Sequence, residues 1–168
     1  MRPHALSIGL CLLATSGGFA QPKASLGGVW RVTEEVWPDT QDAERGARTA
    51  DPQPSLIIFT RDYYSEVFVR TGQPRTPVAP AKDPQNLTDA EKIARYEEWR
   101  QFAANGGTYE IKGSTLIRRV TVAKSARIMT RGVPHIQEFR LEGPDTIWLI
   151  PIAEESATEP RIKLTRLE

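Results

Sequence analysis

The chain has 168 residues, 39% of them hydrophobic and 26% charged, which suits one globular domain and excludes a disordered or collagen-like chain. Formal net charge is +1, and without Arg2, which lies in a segment expected to be removed, 21 basic residues face 21 acidic ones. That balance argues against a nucleic-acid partner, whose binders carry a basic excess.

Met1-Arg2-Pro3-His4 makes a short positive start, and Ala5 to Phe19 holds apolar or small residues throughout. Gly18 and Ala20 then place small residues at the two positions that a signal peptidase reads. The pattern predicts a secretory signal over residues 1–20, cleaved after Ala20, and a periplasmic or secreted product without stable membrane insertion. The apolar run falls short of the ~20 residues that a spanning helix needs. Cys11 follows Leu10 and stands too early for a lipid-modified cysteine. It is also the one cysteine, so the mature chain is expected to fold without a disulfide and to lack a thiol nucleophile.

From Gly27 onward, β-rich runs alternate with turn residues. They predict strands at about 28–37, 55–60, 64–70, 107–112, 115–123, 135–142, 146–152 and 160–167. The short links Arg61-Asp62-Tyr63, Gly113-Ser114 and Gly143-Pro144-Asp145 point to antiparallel neighbours. Eight such strands fit a closed up-and-down barrel, with a two-sheet sandwich as the alternative. The expected fold class is therefore all-β, with one domain over 26–168.

Residues 71–104 interrupt the pattern. Pro74, Pro77, Pro80 and Pro84 rule out a central strand there. Thr88-Asp89-Ala90-Glu91 reads as a capping box, and Ile93, Tyr96, Trp99 and Phe102 follow at three-residue steps. The spacing predicts one helix over 88–104, stopped by Gly106-Gly107 and lying across a barrel mouth as a lid or plug.

The hairpins predict which residues face inward. A two-residue turn at Gly113-Ser114 sets Ile111 opposite Leu116 and Tyr109 opposite Arg118. Tyr109, Ile111, Leu116, Arg118, Val120 and Val122 then share the apolar face. The next hairpin is expected to pair Phe139 with Trp148 and Gln137 with Ile150, with His135 on the same face. On the first strand, Glu34 follows Trp30 and Val32 inward. An inward Arg118 needs a partner, a wet cavity or an anionic ligand. A Glu34–Arg118 ion pair and a ligand-binding cluster of Glu34, Tyr109, Arg118, His135, Gln137 and Trp148 are both open at this point.

Gly28-Val29-Trp30 matches the Gly-x-Trp signature that opens the first strand of lipocalins. In order and spacing, about residues 26–167 resemble the lipocalin-like domain family, most specifically Gly107-Thr108-Tyr109-Glu110-Ile111-Lys112-Gly113 followed by Leu116 to Val120. A secreted bacterial member is what the resemblance implies, with an eight-stranded calycin-type barrel. It also implies structural roles for Gly28 and Trp30 and an arginine, here Arg166, covering the tryptophan. Three positions depart from the pattern. Tyr63 stands where a hairpin glycine is common, Arg118 where a histidine is common, and Gln137 where an arginine is common.

Signals for catalysis are sparse. The chain has no Gly-x-Ser-x-Gly elbow, phosphate loop or dinucleotide fingerprint. His135 is the one histidine of the mature chain, so a multi-histidine metal site is excluded, and no cofactor or metal is expected. The leading expectation is an exported barrel that binds a small, partly apolar molecule, anionic in one version. A cofactor-free cyclase or isomerase is the alternative, with Glu34 as acid or base and Arg118 stabilising charge. A secreted protein-binding or inhibitor module is the third, suggested by the proline-rich loop.

Overall fold

The computed structural model describes residues 26–38, 48–70, 74–152 and 159–168. The expected leader over 1–20 lies outside the described residues. In chain order the elements are β1 (Gly28–Val36), β2 (Arg48–Ala50), β3 (Ser55–Phe59), β4 (Tyr63–Val69), α1 (Asp89–Arg100), β5 (Phe102–Lys112), β6 (Thr115–Ala123), α2 (Ala126–Arg131), β7 (His135–Leu141), β8 (Thr146–Pro151) and β9 (Arg161–Arg166). Every pairing is antiparallel, and successive strands from β3 to β9 are neighbours. β1 pairs with β3 on one side and with β9 on the other, which closes the sheet into an eight-stranded up-and-down barrel. This is the architecture that the resemblance to lipocalin-like proteins implies. The short β2 is an addition, running beside β1 only over Glu34–Val36.

The inner face is a continuous apolar cluster that includes Trp30, Ile57, Phe59, Leu116, Phe139, Ile147, Leu149 and Leu164. Each such side chain contributes about 1.5–3 kcal/mol by leaving water. One end of the barrel is sealed by Trp30. Its indole N–H donates to the Leu26 carbonyl at 2.8 Å, and the Arg166 guanidinium stacks 4.1 Å from its ring centroid. Gly28 has φ 133°, and a Cβ there would come within 2.2 Å of the Glu168 carbonyl oxygen, so glycine is required on both counts.

Because the strands alternate in direction, their connections alternate between the two ends. The links 60–62, 113–114 and 142–145 lie at the Trp30 end, whereas β1, β4, β6 and β8 end, and β3, β5, β7 and β9 begin, towards the other. Long connections border the open end, where loops carry function on a rigid scaffold.

Several expectations are corrected by the register. β5 begins at Phe102, not near 107, because Val69 to Tyr64 of β4 pair with Phe102 to Gly107. Strand pairing thus takes over the last step of the helical spacing, and α1 ends at Arg100. No residue of α1 is buried, and Ile93, Tyr96 and Trp99 are exposed, so the helix does not plug the barrel. Between β5 and β6 the register shifts at Gly106/Gly107, leaving Thr121 as the extra residue. Beyond this bulge the faces exchange, and Val122 points to solvent. Gly107 lies where the chains approach most closely, since a Cβ there would sit 1.9 Å from the Arg119 carbonyl oxygen. α2 was not foreseen; it ends at Gly132, which takes a left-handed φ of 67°.

One inward assignment falls to a change of register. Phe139 pairs with Leu149 and Arg140 with Trp148, one residue away from the expected register, because the turn spans 142–145 and closes with Glu142 N–H donating to Thr146 at 3.0 Å. A one-residue slip turns every side chain over, which puts Ile147 and Leu149 inside and Trp148 outside. On β1, Val32 stands opposite Leu164 but Glu34 stands opposite Lys163, a shift that leaves Thr33 as the extra residue. Glu34 is nonetheless buried, 8% exposed, in step with Trp30 and Val32.

Candidate functional site

Arg118 is inward and sealed, with 6% of its side chain exposed. A guanidinium cannot remain there without compensation. Its partner is Glu66 on β4, not Glu34. Arg118 Nη1 donates to Glu66 Oε2 at 2.5 Å, across the intervening β5. Arg118 Nη2 donates to Gln137 Oε1 at 3.0 Å, so β7 joins the same cluster. Asn105 Nδ2 donates to Glu66 Oε1 at 2.5 Å, and Tyr64 Oη donates to Asn105 Oδ1 at 2.7 Å. The Arg118 guanidinium also lies 5.1 Å from the Tyr64 ring centroid.

The electrostatics follow from this packing. Burial works against the Arg118 charge, but Glu66 and Tyr64 outweigh it, and the guanidinium is held more firmly protonated than usual. Burial pushes the Tyr64 hydroxyl up to about 12, with Arg118 pulling down and Glu66 pushing up. One donor is left over. The Arg118 Nε–H is buried and has no hydrogen-bond partner among the described residues.

The other expected site residues are dispersed. Glu34 accepts from Arg48 Nε at 2.8 Å, and Arg118 pairs with Glu66, so the expected Glu34–Arg118 ion pair is not formed. Tyr109 does stand opposite Arg118, but its hydroxyl donates to the Thr60 carbonyl at 2.7 Å and its ring packs edge-on to Phe59. His135 also stands opposite Arg118, with Nδ1 3.6 Å from Glu159 at the open end. Trp148 is on the exterior beneath the Lys163 ammonium, 5.5 Å from its ring centroid. Glu66, Tyr64 and Asn105 escaped the sequence reading. Glu66 is the one charged residue in Tyr63–Val69, which is a usable signal, but both faces of that hairpin are apolar enough to hide its direction.

A cavity of about 600 Å³ opens where β1 has parted from β3. Val32, Ser55 and Phe68 reach it from the inner face, and Arg31, Leu56 and Phe102 from the outer face, so it wraps over the rim of the wall. Ser55 Oγ accepts from the Val32 N–H at 3.0 Å across the gap. Phe68 and Glu66 are successive inward positions of β4, which sets the polar cluster directly below the cavity wall. The size is in the range of small-molecule sites. Among the described residues, no three His, Cys, Asp or Glu side chains gather closely enough to hold a metal ion.

No protein-family model matches the chain, and no curated protein matches it. Among solved structures it is similar to a lipocalin-like protein from Bacteroides uniformis ATCC 8492. The two are 11% identical, with a TM-score of 0.46 over 84% of this chain and 98% of that chain.

Proposed function

We propose that the protein is an exported barrel that binds a small, largely apolar molecule at its open end. The observation that carries the reading is the cavity of about 600 Å³ at the rim, apolar in most of its lining and adjacent to a buried polar cluster with an unused donor. A site of this make-up excludes water around an apolar ligand while a few polar groups orient it. Arg118 enters this reading through its Nε–H alone, since Glu66 already neutralises its charge. Export is supported by the charged start, apolar run and small-residue cleavage site of residues 1–20.

Native mass spectrometry of full-length protein expressed in bacteria and recovered from the periplasm tests both parts. The expected result is a polypeptide beginning at Gln21 that retains a small molecule released by denaturation. Protein that stays in the cytoplasm with Met1 intact overturns the export. Ligand-free protein whose melting temperature no apolar probe raises overturns the binding.

A further inference from the structure

The helix α1 is mounted with its apolar face outward. Its half-buried positions are Glu91, Ala94 and Glu98, a stripe that a helix resting on a protein core normally fills with aliphatic side chains. Ile93, Tyr96 and Trp99 lie on the other side and are 62%, 63% and 57% exposed. At about 100° per residue, Lys92, Ile93, Arg95, Tyr96, Trp99 and Arg100 fall within about 160° of arc. Glu91, Glu97 and Glu98 share the opposite side. Asp89 is the one acid of α1 inside that arc, and Lys92 meets it at 3.0 Å. The helix therefore separates its charges as well as its rings.

More cations reach this face from outside the helix. A groove beside α1 is lined by Arg75, Lys92 and Arg95 with Tyr96 and Trp99, and Glu98 is its one carboxylate. Arg75 donates to the Glu98 backbone carbonyl at 3.2 Å, which leaves its charge uncompensated by that bond. Lys124 lies 4.8 Å from the Trp99 ring centroid and donates to the Phe102 carbonyl at 2.7 Å. Desolvation, with Arg70 and Arg75 adding to it, holds the Lys124 ammonium below the usual lysine range. A positive potential thus surrounds two exposed aromatic rings.

We propose that this face of α1 docks the protein on an anionic bilayer surface, with Tyr96 and Trp99 seated among the headgroups and Arg75, Lys92 and Arg95 at the phosphates. The proposal goes beyond the cavity reading and needs no ligand in the barrel. Tyrosine and tryptophan suit the position because each joins an apolar ring to a polar edge, and both collect at membrane–water interfaces. Basic side chains add to the attraction of an anionic leaflet one by one. A helix of 12 residues with this make-up lies in the plane of the interface and does not span it. Its face, about 18 Å long and 10–12 Å wide, is small beside the ~800 Å² per partner of a stable protein interface.

The test is co-sedimentation of the mature protein with vesicles of phosphatidylcholine alone and of phosphatidylcholine and phosphatidylglycerol in equal parts. The leader is left out because its apolar run would bind bilayers by itself. The protein is expected to sediment with the anionic vesicles, to leave them as salt is added, and to stay largely free of the neutral ones. Lys92→Gln/Arg95→Gln should weaken the anionic binding about thirtyfold. Tyr96→Ser/Trp99→Gln should weaken it too. Both double variants should keep the parent's urea midpoint, since the altered side chains are exposed. Equal retention on the two kinds of vesicle overturns the role given to the cations. Retention that survives both double variants overturns the choice of this face. Retention on a polyglutamate resin but not on anionic vesicles assigns the face to an acidic protein and overturns the proposal. A protein that binds no vesicle and forms a dimer that Trp99→Gln dissolves overturns it in favour of a second copy.

Discussion

Arg118 and Glu66 form an ion pair at 2.5 Å between strands that are not neighbours, with 6% and 12% of their side chains exposed. The pair crosses β5 through the barrel interior and ties four strands together, β4 to β7, once Gln137 and Asn105 are counted. Burying two charges costs several kcal/mol each, so the pair adds little net stability but makes either member hard to remove alone. It also settles what Arg118 offers a ligand, which is one N–H and no uncompensated charge.

Arg118→Met should therefore destabilise the fold by ~3–5 kcal/mol, because the Glu66 carboxylate is stranded in an apolar interior. Glu66→Leu combined with Arg118→Met should recover most of that loss. Urea denaturation of the three proteins checks it. A double variant as unstable as the single one would mean that the cluster contributes through Asn105 and Tyr64 instead.

Tyr64 gives a pH signature. Its hydroxyl titrates at about 12 in the fold against an ordinary 10.0. A raised native value means that the folded state holds this proton more tightly than the unfolded chain does. The associated stability is fully present below pH 10 and is lost as pH climbs towards 12. Tyrosinate absorbance should show a late step near pH 12 that Tyr64→Phe abolishes. The variant's stability should fall less steeply over that interval.

The strands were legible because turn residues bracket alternating apolar runs, and the Gly113-Ser114 link alone placed Tyr109 opposite Arg118. Local pattern does not specify where a strand carries an extra residue. Nothing in Val32-Thr33-Glu34 or Val120-Thr121-Val122 marks the two register shifts, the second of which turns Val122 outward. Gly143-Pro144-Asp145 announces a turn but leaves its length open, and one residue of difference moved Trp148 to the exterior. Phe102 continued a helical spacing, yet β4 needed a partner along its whole length. The candidate site was half visible. Arg118 and Gln137 were found from parity, while Glu66 and Asn105 depend on a contact across three strands that sequence order does not reveal.

Gly107→Ala tests the bulge. The new Cβ would fall 1.9 Å from the Arg119 carbonyl oxygen and 2.8 Å from the Thr121 nitrogen, both backbone atoms that cannot swing aside. The cost should reach or exceed ~1–3 kcal/mol. Gly106→Ala is the comparison, since its nearest contact is 3.0 Å, to the Tyr64 carbonyl oxygen, and its cost should be smaller. Equal melting temperatures for the two variants would count against a close approach at Gly107.

α1 buries no residue and so draws its stability from its ends. At the N-terminus, Thr88 Oγ1 accepts from the Glu91 N–H at 3.3 Å while Glu91 Oε2 accepts from the Thr88 N–H at 2.8 Å. At the other end, Lys124 donates to the Trp99 carbonyl. Thr88→Ala removes the first restraint and should cost the helix ~1 kcal/mol. Amide exchange over Glu91–Arg95 should quicken about fivefold, the factor that such a loss implies. The barrel's urea midpoint should stay where it was, because a segment with no buried contacts opens on its own. A midpoint that falls in step with the helix would instead make α1 part of the cooperative core and return it to the lid role that its exposed Ile93, Tyr96 and Trp99 argue against.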